Sequence, residues 1–105
     1  MNYERVKNLE QWILEDPTEP FNKYALAIEL NGKDPQRVGL LFQELLTQHA
    51  DYLPTYYIAA SFFLAQGNQP KAIQTLESGI TVAKKQNNLK TEKELHSFLD
   101  ELQFE

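Results

Sequence analysis

Side chains that commonly carry out catalysis are scarce in this chain. His49 and His96 are its only histidines, and they fall near a helix end and on a polar helix face. A histidine in such a place is ordinarily a helix-end cation or a solvated residue, and is seldom a general base. Neighbouring acidic residues are expected to be solvated helix surface: Glu15 and Asp16, Glu92 and Glu94, Asp100 and Glu101.

The short motifs of the large enzyme classes are also missing from the sequence. There is no glycine-rich phosphate loop, no His-Glu-x-x-His pair and no Gly-x-Ser-x-Gly elbow. The chain has no cysteine, so it can form neither a disulfide nor a cysteine-based metal site. We therefore predict a protein that is not an enzyme and has no catalytic residue, no metal ligand and no cofactor.

Two groups of charged residues leave alternatives open. Glu29 is set inside a strongly apolar helix, where its carboxylate either bonds a neighbouring loop or lines a groove. Basic residues concentrate at Lys84, Lys85, Lys90 and Lys93. Lysines at the end of a helix complement its dipole, and phosphate binding is the alternative. The net charge of −5 opposes binding to nucleic acid through its phosphates.

Length and hydropathy place the chain among small globular proteins. Its 105 residues suffice for one ordinary domain, and 42% hydrophobic residues exclude wholesale disorder. No window of about 18 apolar residues occurs, so we expect no membrane span. The segment from Met1 to Pro20 also lacks the apolar stretch of a signal peptide. Together these features predict a cytoplasmic protein.

Helical periodicity dominates between the prolines and glycines. Apolar residues recur there at intervals of three and four, which is the spacing of one helical face. Asp34 followed by Pro35 is typical of a helix start, and Gly32 is a natural helix stop. The sequence predicts an all-α protein with six helices, at about 2–15, 20–31, 34–49, 53–66, 68–85 and 88–103.

An internal repeat relates these helices. The third matches the fifth at a constant offset of 34: Val38 with Ala72, Phe42 with Leu76, Leu45 with Gly79 and Leu46 with Ile80. The second lies over the fourth at an offset of 33, with Leu26, Ala27 and Leu30 opposite Ala59, Ala60 and Phe63. The first matches the third at 33, with Leu9, Trp12 and Ile13 beside Phe42, Leu45 and Leu46. Three coincidences in one order indicate a helical repeat.

The later unit resembles a tetratricopeptide repeat. The residues that carry the resemblance are Tyr56, Ala59, Ala60, Phe63, Gly67, Asn68, Ala72, Leu76, Gly79 and Ile80. The earlier unit follows the same pattern more loosely, through Leu26, Ala27, Leu30, Val38, Phe42, Leu45 and Leu46. Pro17 fits the closing proline of a lone preceding helix. The chain is similar to small stand-alone bacterial repeat proteins with two hairpins flanked by single helices.

The resemblance implies antiparallel helical hairpins stacked as a short right-handed superhelix. It divides a single domain, 1–105, into an N-terminal helix (1–16), a first repeat (17–50), a second repeat (51–86) and a C-terminal capping helix (87–105). Two hairpins and two half units supply the roughly three units that such stacks need for stability. A plain helical bundle without the superhelical twist is the alternative.

The resemblance also implies a binding function. In the family, the first helices of successive repeats line a concave face that receives an extended peptide or a partner's helix. Carried over position by position, the predicted groove residues are Phe21, Tyr24, Ile28, Pro54, Tyr57, Ser61, Leu64 and Lys90. Tyrosine and phenylalanine are common interface anchors, and the alternative is that these aromatics fill a narrow core. We expect an adaptor or scaffold for a protein or peptide partner.

One subtype of the family has a characteristic set of binding residues that this sequence lacks. Heat-shock co-chaperones clamp an acidic C-terminal carboxylate with a set of lysine, asparagine and arginine side chains. The corresponding positions here hold Tyr24, Ile28, Ile58, Lys90 and Glu94. Lys90 is the single match, so we do not expect a carboxylate clamp.

Self-association is the rival function. Trp12, Phe98 and Phe104 lie on the two terminal helices, where repeat proteins normally show polar outer faces. A homodimer formed through the groove or the terminal helices would cover these side chains.

Overall fold

The computed structural model describes residues 1–104, and within them all regular secondary structure is helical. The elements are α1 (Tyr3–Glu15), α2 (Pro20–Leu30), α3 (Pro35–Gln48), α4 (Thr55–Ala65), α5 (Gln69–Lys85) and α6 (Leu89–Gln103). The predicted all-α class and the predicted six helices are confirmed. All predicted ends lie within two residues of the observed ones, which is the normal uncertainty of a helix boundary.

Local capping explains where most of the helices begin. Four side chains each accept a hydrogen bond from a backbone N–H three residues ahead, at 3.0–3.2 Å: Asn2, Asp34, Asn68 and Asn88. Such caps satisfy N–H groups that have no partner inside the helix. Proline occupies the first turn of α2, α3 and α5, where its missing N–H costs nothing.

Each hairpin has one glycine just after its first helix. Gly32 has φ +84° and Gly67 has φ +80°, which is the left-handed conformation that glycine adopts without a steric penalty. After α4, the N–H of Asn68 returns to the carbonyl of Phe63 at 2.9 Å, so the turn also satisfies a helix-end acceptor. The same Asn68 then caps α5, which explains why the hairpin turn is so short.

The chain forms two compact units, Met1–Tyr52 and a second that begins at Leu53. The first unit contains α1, α2 and α3, and the second contains α4, α5 and α6. The division of one domain at 16, 50 and 86 stays a prediction, and its last position, 105, lies outside the described residues.

Polar contacts connect the helices of the first unit. The carboxylate of Glu29, near the end of α2, accepts the backbone N–H of Asn2 at 2.9 Å and lies 3.8 Å from Arg5. Lys23, near the start of α2, donates to Gln48 at 3.1 Å and lies 3.6 Å from a carboxylate oxygen of Glu44. Each contact joins the start of one helix to the end of its neighbour, so the neighbours are antiparallel. Glu29 therefore has the structural role, and bonds the segment before α1.

Close helix approach characterises the second unit. A Cβ placed on Gly79 of α5 would lie only 2.7 Å from Cβ of Tyr56 on α4 and 3.0 Å from Leu95 on α6. Gln69 at the start of α5 donates to the carbonyl of Leu102 at the end of α6, at 3.2 Å. Three helices thus meet at one glycine, where a side chain would hold them apart.

Burial follows the repeat pattern. Phe42 and Leu76 are both fully buried, as are Val38 and Ala72, which form a second pair at the same offset. Trp12 departs from it, because 44% of its surface is exposed whereas its counterpart Leu45 is fully buried. The cause is that α1 packs chiefly against α2, so only part of its circumference is covered.

Candidate functional site

Three of the predicted groove residues lie on α2 of the first unit. Phe21, Tyr24 and Ile28 are spaced by three and four residues and therefore share one helix face. Phe21 is 49% exposed and Ile28 is 45% exposed, whereas Tyr24 is half-buried. This face of α2 is thus an apolar surface in contact with solvent, and it does not belong to the core.

Tyr24 contacts a residue that the sequence pattern did not indicate. Its ring meets that of Tyr52 edge to face, with centroids 5.7 Å apart. Burial raises the pKa of the Tyr52 hydroxyl, and the nearby Tyr24 and Glu19 raise this pKa further. Tyr52 lies in the connection after α3, outside any helical period, so only its aromatic character could have signalled a role.

Four more predicted residues lie in the second unit along α4. Pro54 is exposed just before the helix, Tyr57 is 45% exposed, and Ser61 and Leu64 are half-buried on the same face. The Ser61 hydroxyl donates to the Tyr57 carbonyl at 3.1 Å, so it is turned back onto its own helix. Tyr57 is consequently the largest accessible side chain of this face.

A cleft opens beside Tyr57. Its ring lies against Phe98 of α6, with centroids 5.0 Å apart and planes inclined by 49°. The cleft has a volume of about 350 Å³ and is lined by Tyr57, Glu94, Ser97, Phe98 and Glu101. The spacing of these α6 residues, at i, i+3, i+4 and i+7, places them on one helix face.

The sequence predicts a different set of neighbours for Tyr57. Phe98 is among the residues that a homodimer would cover, and the structure packs its half-buried ring against Tyr57. Lys90, predicted to line the groove, is exposed in the first turn of α6 and is not among the residues that line the cleft. The structure thus groups Tyr57 with acidic rather than basic neighbours. That the eight predicted residues form one binding groove stays a prediction.

Two solved structures resemble the chain in both sequence and fold. One is a crystal structure of a tetratricopeptide repeat domain protein from Salinibacter ruber, with 32% identity and a TM-score of 0.74 over 81% of this chain and 96% of that one. A solution structure of a tetratricopeptide repeat domain protein from the same organism shows 34% identity and a TM-score of 0.77, over 83% and 89% of the two chains. The chain belongs to the tetratricopeptide repeat family. No family model matches it, and a search of curated proteins found no match.

Membership of the tetratricopeptide repeat family implies a protein-interaction module in general, and modules with this fold are typically non-catalytic. The two histidines of this tetratricopeptide repeat protein lie at a helix end and on a helix surface. His49 follows the last turn of α3, and His96 lies 3.9 Å from Glu92 one turn earlier on α6. In residues 1–104, no group of three or more histidine and acidic side chains could hold a metal ion. In the same residues, no helix has the length and apolarity needed to cross a membrane.

Proposed function

We propose that this tetratricopeptide repeat protein is a non-enzymatic interaction module that binds a short peptide or a partner's helix through the predicted groove residues. The supporting observation is that large apolar side chains at these positions are turned to water. Phe21, Ile28 and Tyr57 each expose 45–49% of their surface although they belong to otherwise buried helices. Family membership explains such exposure if these side chains meet a partner.

The exposed residues are suited to weak and reversible binding. Tyrosine and phenylalanine bury much area on binding and lose little conformational entropy, so they act as anchors. A contact made by a few short helix faces is small, and small interfaces are typical of transient complexes. We expect dissociation constants on the order of micromolar for a peptide that uses these anchors.

A peptide selected from a random display library tests the location of binding. Titrated into ¹⁵N-labelled protein, it should shift the amide resonances of Phe21, Ile28, Tyr57 and Leu64. The substitution Tyr57→Ala should weaken binding about tenfold or more, since an interface anchor contributes about 2 kcal/mol. Tyr3→Ala is the matched control, because Tyr3 is a 76% exposed tyrosine outside the predicted face. Shifts confined to the outer faces of α3 and α5, or equal effects of the two substitutions, would contradict the proposal.

Self-association is the second candidate function, and the exposed residues of the terminal helices favour it. On α1, Trp12 is 44% exposed and Leu14 is 78% exposed, and Phe104 after α6 is 83% exposed. Light scattering after size exclusion separates the candidates. A particle of 12.2 kDa at all concentrations would exclude the dimer, whereas a stable particle of twice that mass would support it. In the second case Trp12→Ala should restore the monomer, and Leu40→Ala on α3 should not.

A further inference from the structure

We infer that the cleft beside the Tyr57–Phe98 ring pair binds the guanidinium group of an arginine in the partner peptide. This inference rests on the proposed function and specifies the chemistry of the partner. It starts from the composition of the cleft, which combines two aromatic rings, two hydroxyls and two carboxylates in about 350 Å³. Among residues 1–104, no basic side chain lines the cleft and could neutralise the carboxylates.

The two carboxylates of the cleft are unpaired. Glu94 and Glu101 are exposed, and among residues 1–104 neither takes part in an ion pair or a hydrogen bond. Some other carboxylates of the chain do have cationic partners, as Glu29 has Arg5 and Glu44 has Lys23. Two turns of helix separate Glu94 from Glu101, about 10 Å along the axis, with Phe98 between them. A cation above Phe98 would therefore have a carboxylate on either side.

The ring pair provides a second source of attraction for a cation. The face of an aromatic ring attracts a cation within about 6 Å of its centre. Elsewhere in the second unit the chain already uses this interaction, because Lys71 Nζ lies 5.1 Å from the centre of the Phe63 ring. At the cleft, the 45% exposed Tyr57 and the half-buried Phe98 leave ring surface accessible, and no cationic side chain of the described residues lines it.

Arginine fits this combination better than lysine. Its planar guanidinium stacks on aromatic rings and can donate two parallel hydrogen bonds to one carboxylate. It is also more weakly hydrated than an ammonium group, so it loses less on entering a half-open cleft. The Ser97 hydroxyl adds an acceptor on the same helix face. The net charge of −5 attracts a cationic peptide over longer distances, and added salt should weaken this attraction.

Three model peptides test the inference without knowledge of the natural partner. They are acetyl-Gly-Gly-Xaa-Gly-Gly-amide with arginine, citrulline or norleucine at Xaa, titrated to about 10 mM because one side chain binds in the millimolar range. Citrulline retains the shape of arginine but lacks its charge. The arginine peptide should shift the amide resonances of Tyr57, Glu94 and Phe98, and bind at least fivefold more tightly than the citrulline peptide. Equal binding of all three peptides, shifts elsewhere, or no shift at the highest concentration would overturn the inference.

Two double variants that each remove two negative charges distinguish binding in the cleft from general attraction to an acidic protein. The double variant Glu94→Gln and Glu101→Gln should weaken the arginine peptide at least fivefold and leave the citrulline peptide unaffected. Its control is Glu77→Gln with Asp100→Asn, which removes two exposed carboxylates that do not line the cleft. This control should change binding less than twofold. Equal losses of affinity for the arginine peptide in the two double variants would show that binding depends on net charge alone, and would overturn the inference.

The peptide selected for the proposed function distinguishes the two failures. If its binding depends on Tyr57 but is unaffected by Glu94→Gln with Glu101→Gln, the cleft does not select a cation, and the proposed function still holds. If the arginine peptide binds the cleft while binding of the selected peptide is unaffected by Tyr57→Ala, the inference holds and the proposed groove fails.

Discussion

The two units of the chain use different interactions at equivalent positions of the repeat. Lys23 and Tyr56 occupy the same repeat position, and both are buried, with 5% and 3% of their surface exposed. Lys23 extends to Gln48 and Glu44 at the end of α3. Tyr56 instead lies directly over Gly79 of α5, whose counterpart in the first unit is Leu45. One unit thus holds its hairpin with a polar contact, and the other with close packing.

This difference shows what the repeat constrains and what it leaves variable. The equivalent positions hold lysine and leucine in the first unit and tyrosine and glycine in the second, so a large side chain is present at the α3 position and absent from the equivalent α5 position. The lysine retains a charge and must find polar partners, whereas the tyrosine position requires that the facing glycine remain small. We therefore expect the two units to tolerate different substitutions.

The largest losses of stability are expected at repeat positions that are buried in both units. Phe42 and Leu76 are equivalent and fully buried, so truncation leaves a cavity in either unit. Phe42→Ala should lower the free energy of unfolding by about 3–5 kcal/mol and Leu76→Ala by about 2–5 kcal/mol. Urea unfolding followed by circular dichroism measures both.

Leu40→Ala serves as the control for both truncations. Leu40 is 60% exposed on α3, and its removal should change stability by less than about 0.5 kcal/mol. A loss of similar size in all three variants would mean that the equivalent positions do not form the core.

The next largest effect is expected from Gly79→Ala in the second unit. The added methyl would lie 2.7 Å from Cβ and 2.8 Å from Cγ of Tyr56, atoms too close to the backbone to move aside. Overpacking costs about 1–3 kcal/mol, and the better helix propensity of alanine returns up to about 1 kcal/mol. We expect a net loss of about 1–2 kcal/mol by urea unfolding. Ser78→Ala, at an exposed position one residue earlier, should be nearly neutral. A stabilised Gly79→Ala variant would refute the close approach of these helices.

These contrasts also explain how far the sequence predicted the fold. Capping residues and left-handed glycines act locally, so Asp34, Gly32 and Gly67 marked helix ends that the structure confirms. The constant offset of the repeat revealed the pairing of Phe42 with Leu76 because buried positions keep their spacing. The second unit, whose glycine and alanine residues are required by close packing, carried the clearer family resemblance.

The candidate site was less accessible to sequence reasoning. Tyr57 was placed on an exposed face from the repeat pattern, but its partner Phe98 comes from another helix. Nothing local distinguishes Phe98 from the other apolar residues of α6, since its role depends on how α6 packs in the second unit. Glu94 and Glu101 likewise resemble any solvated acidic residues until the ring between them is located.

A smaller effect should reveal the polar contact of the first unit. Lys23→Ala removes both the buried stem and the charge, and should cost about 1 kcal/mol in stability. Lys23→Met retains the stem, so it should cost less, because Gln48 and Glu44 can turn to water when they lose their partner. Lys33→Ala, in the exposed turn after α2, is the control. If Lys23→Met proves the more harmful, the charge rather than the stem stabilises this hairpin.

The smallest effect on stability is expected from the ionisation of Tyr52. In the first unit the ring of Tyr24 contacts Tyr52, whereas in the second unit the equivalent ring of Tyr57 contacts Phe98, which cannot ionise. Burial, together with Tyr24 and Glu19, raises the pKa of Tyr52 above 10.0, so the folded protein favours the neutral phenol. The unfolded chain ionises first as the pH rises past 10.0, and it then releases more protons than the folded protein. The stability that neutral Tyr52 contributes is therefore complete below pH 10.0 and is lost as the pH rises through the folded pKa.

Comparison with Tyr52→Phe isolates this contribution. Near pH 8 the two proteins should differ little in unfolding free energy, and above pH 10.0 the wild type should lose stability relative to the variant. The difference between their near-ultraviolet absorbance titrations gives the Tyr52 curve, whose midpoint should exceed 10.0. Glu19→Gln should lower this midpoint because it removes one of the charges that raise the pKa, while its amide oxygen can still cap α2. A Tyr52 midpoint at or below 10.0 would show that the Tyr24–Tyr52 contact does not restrain the hydroxyl, and that only the second unit has a packed ring pair at this position.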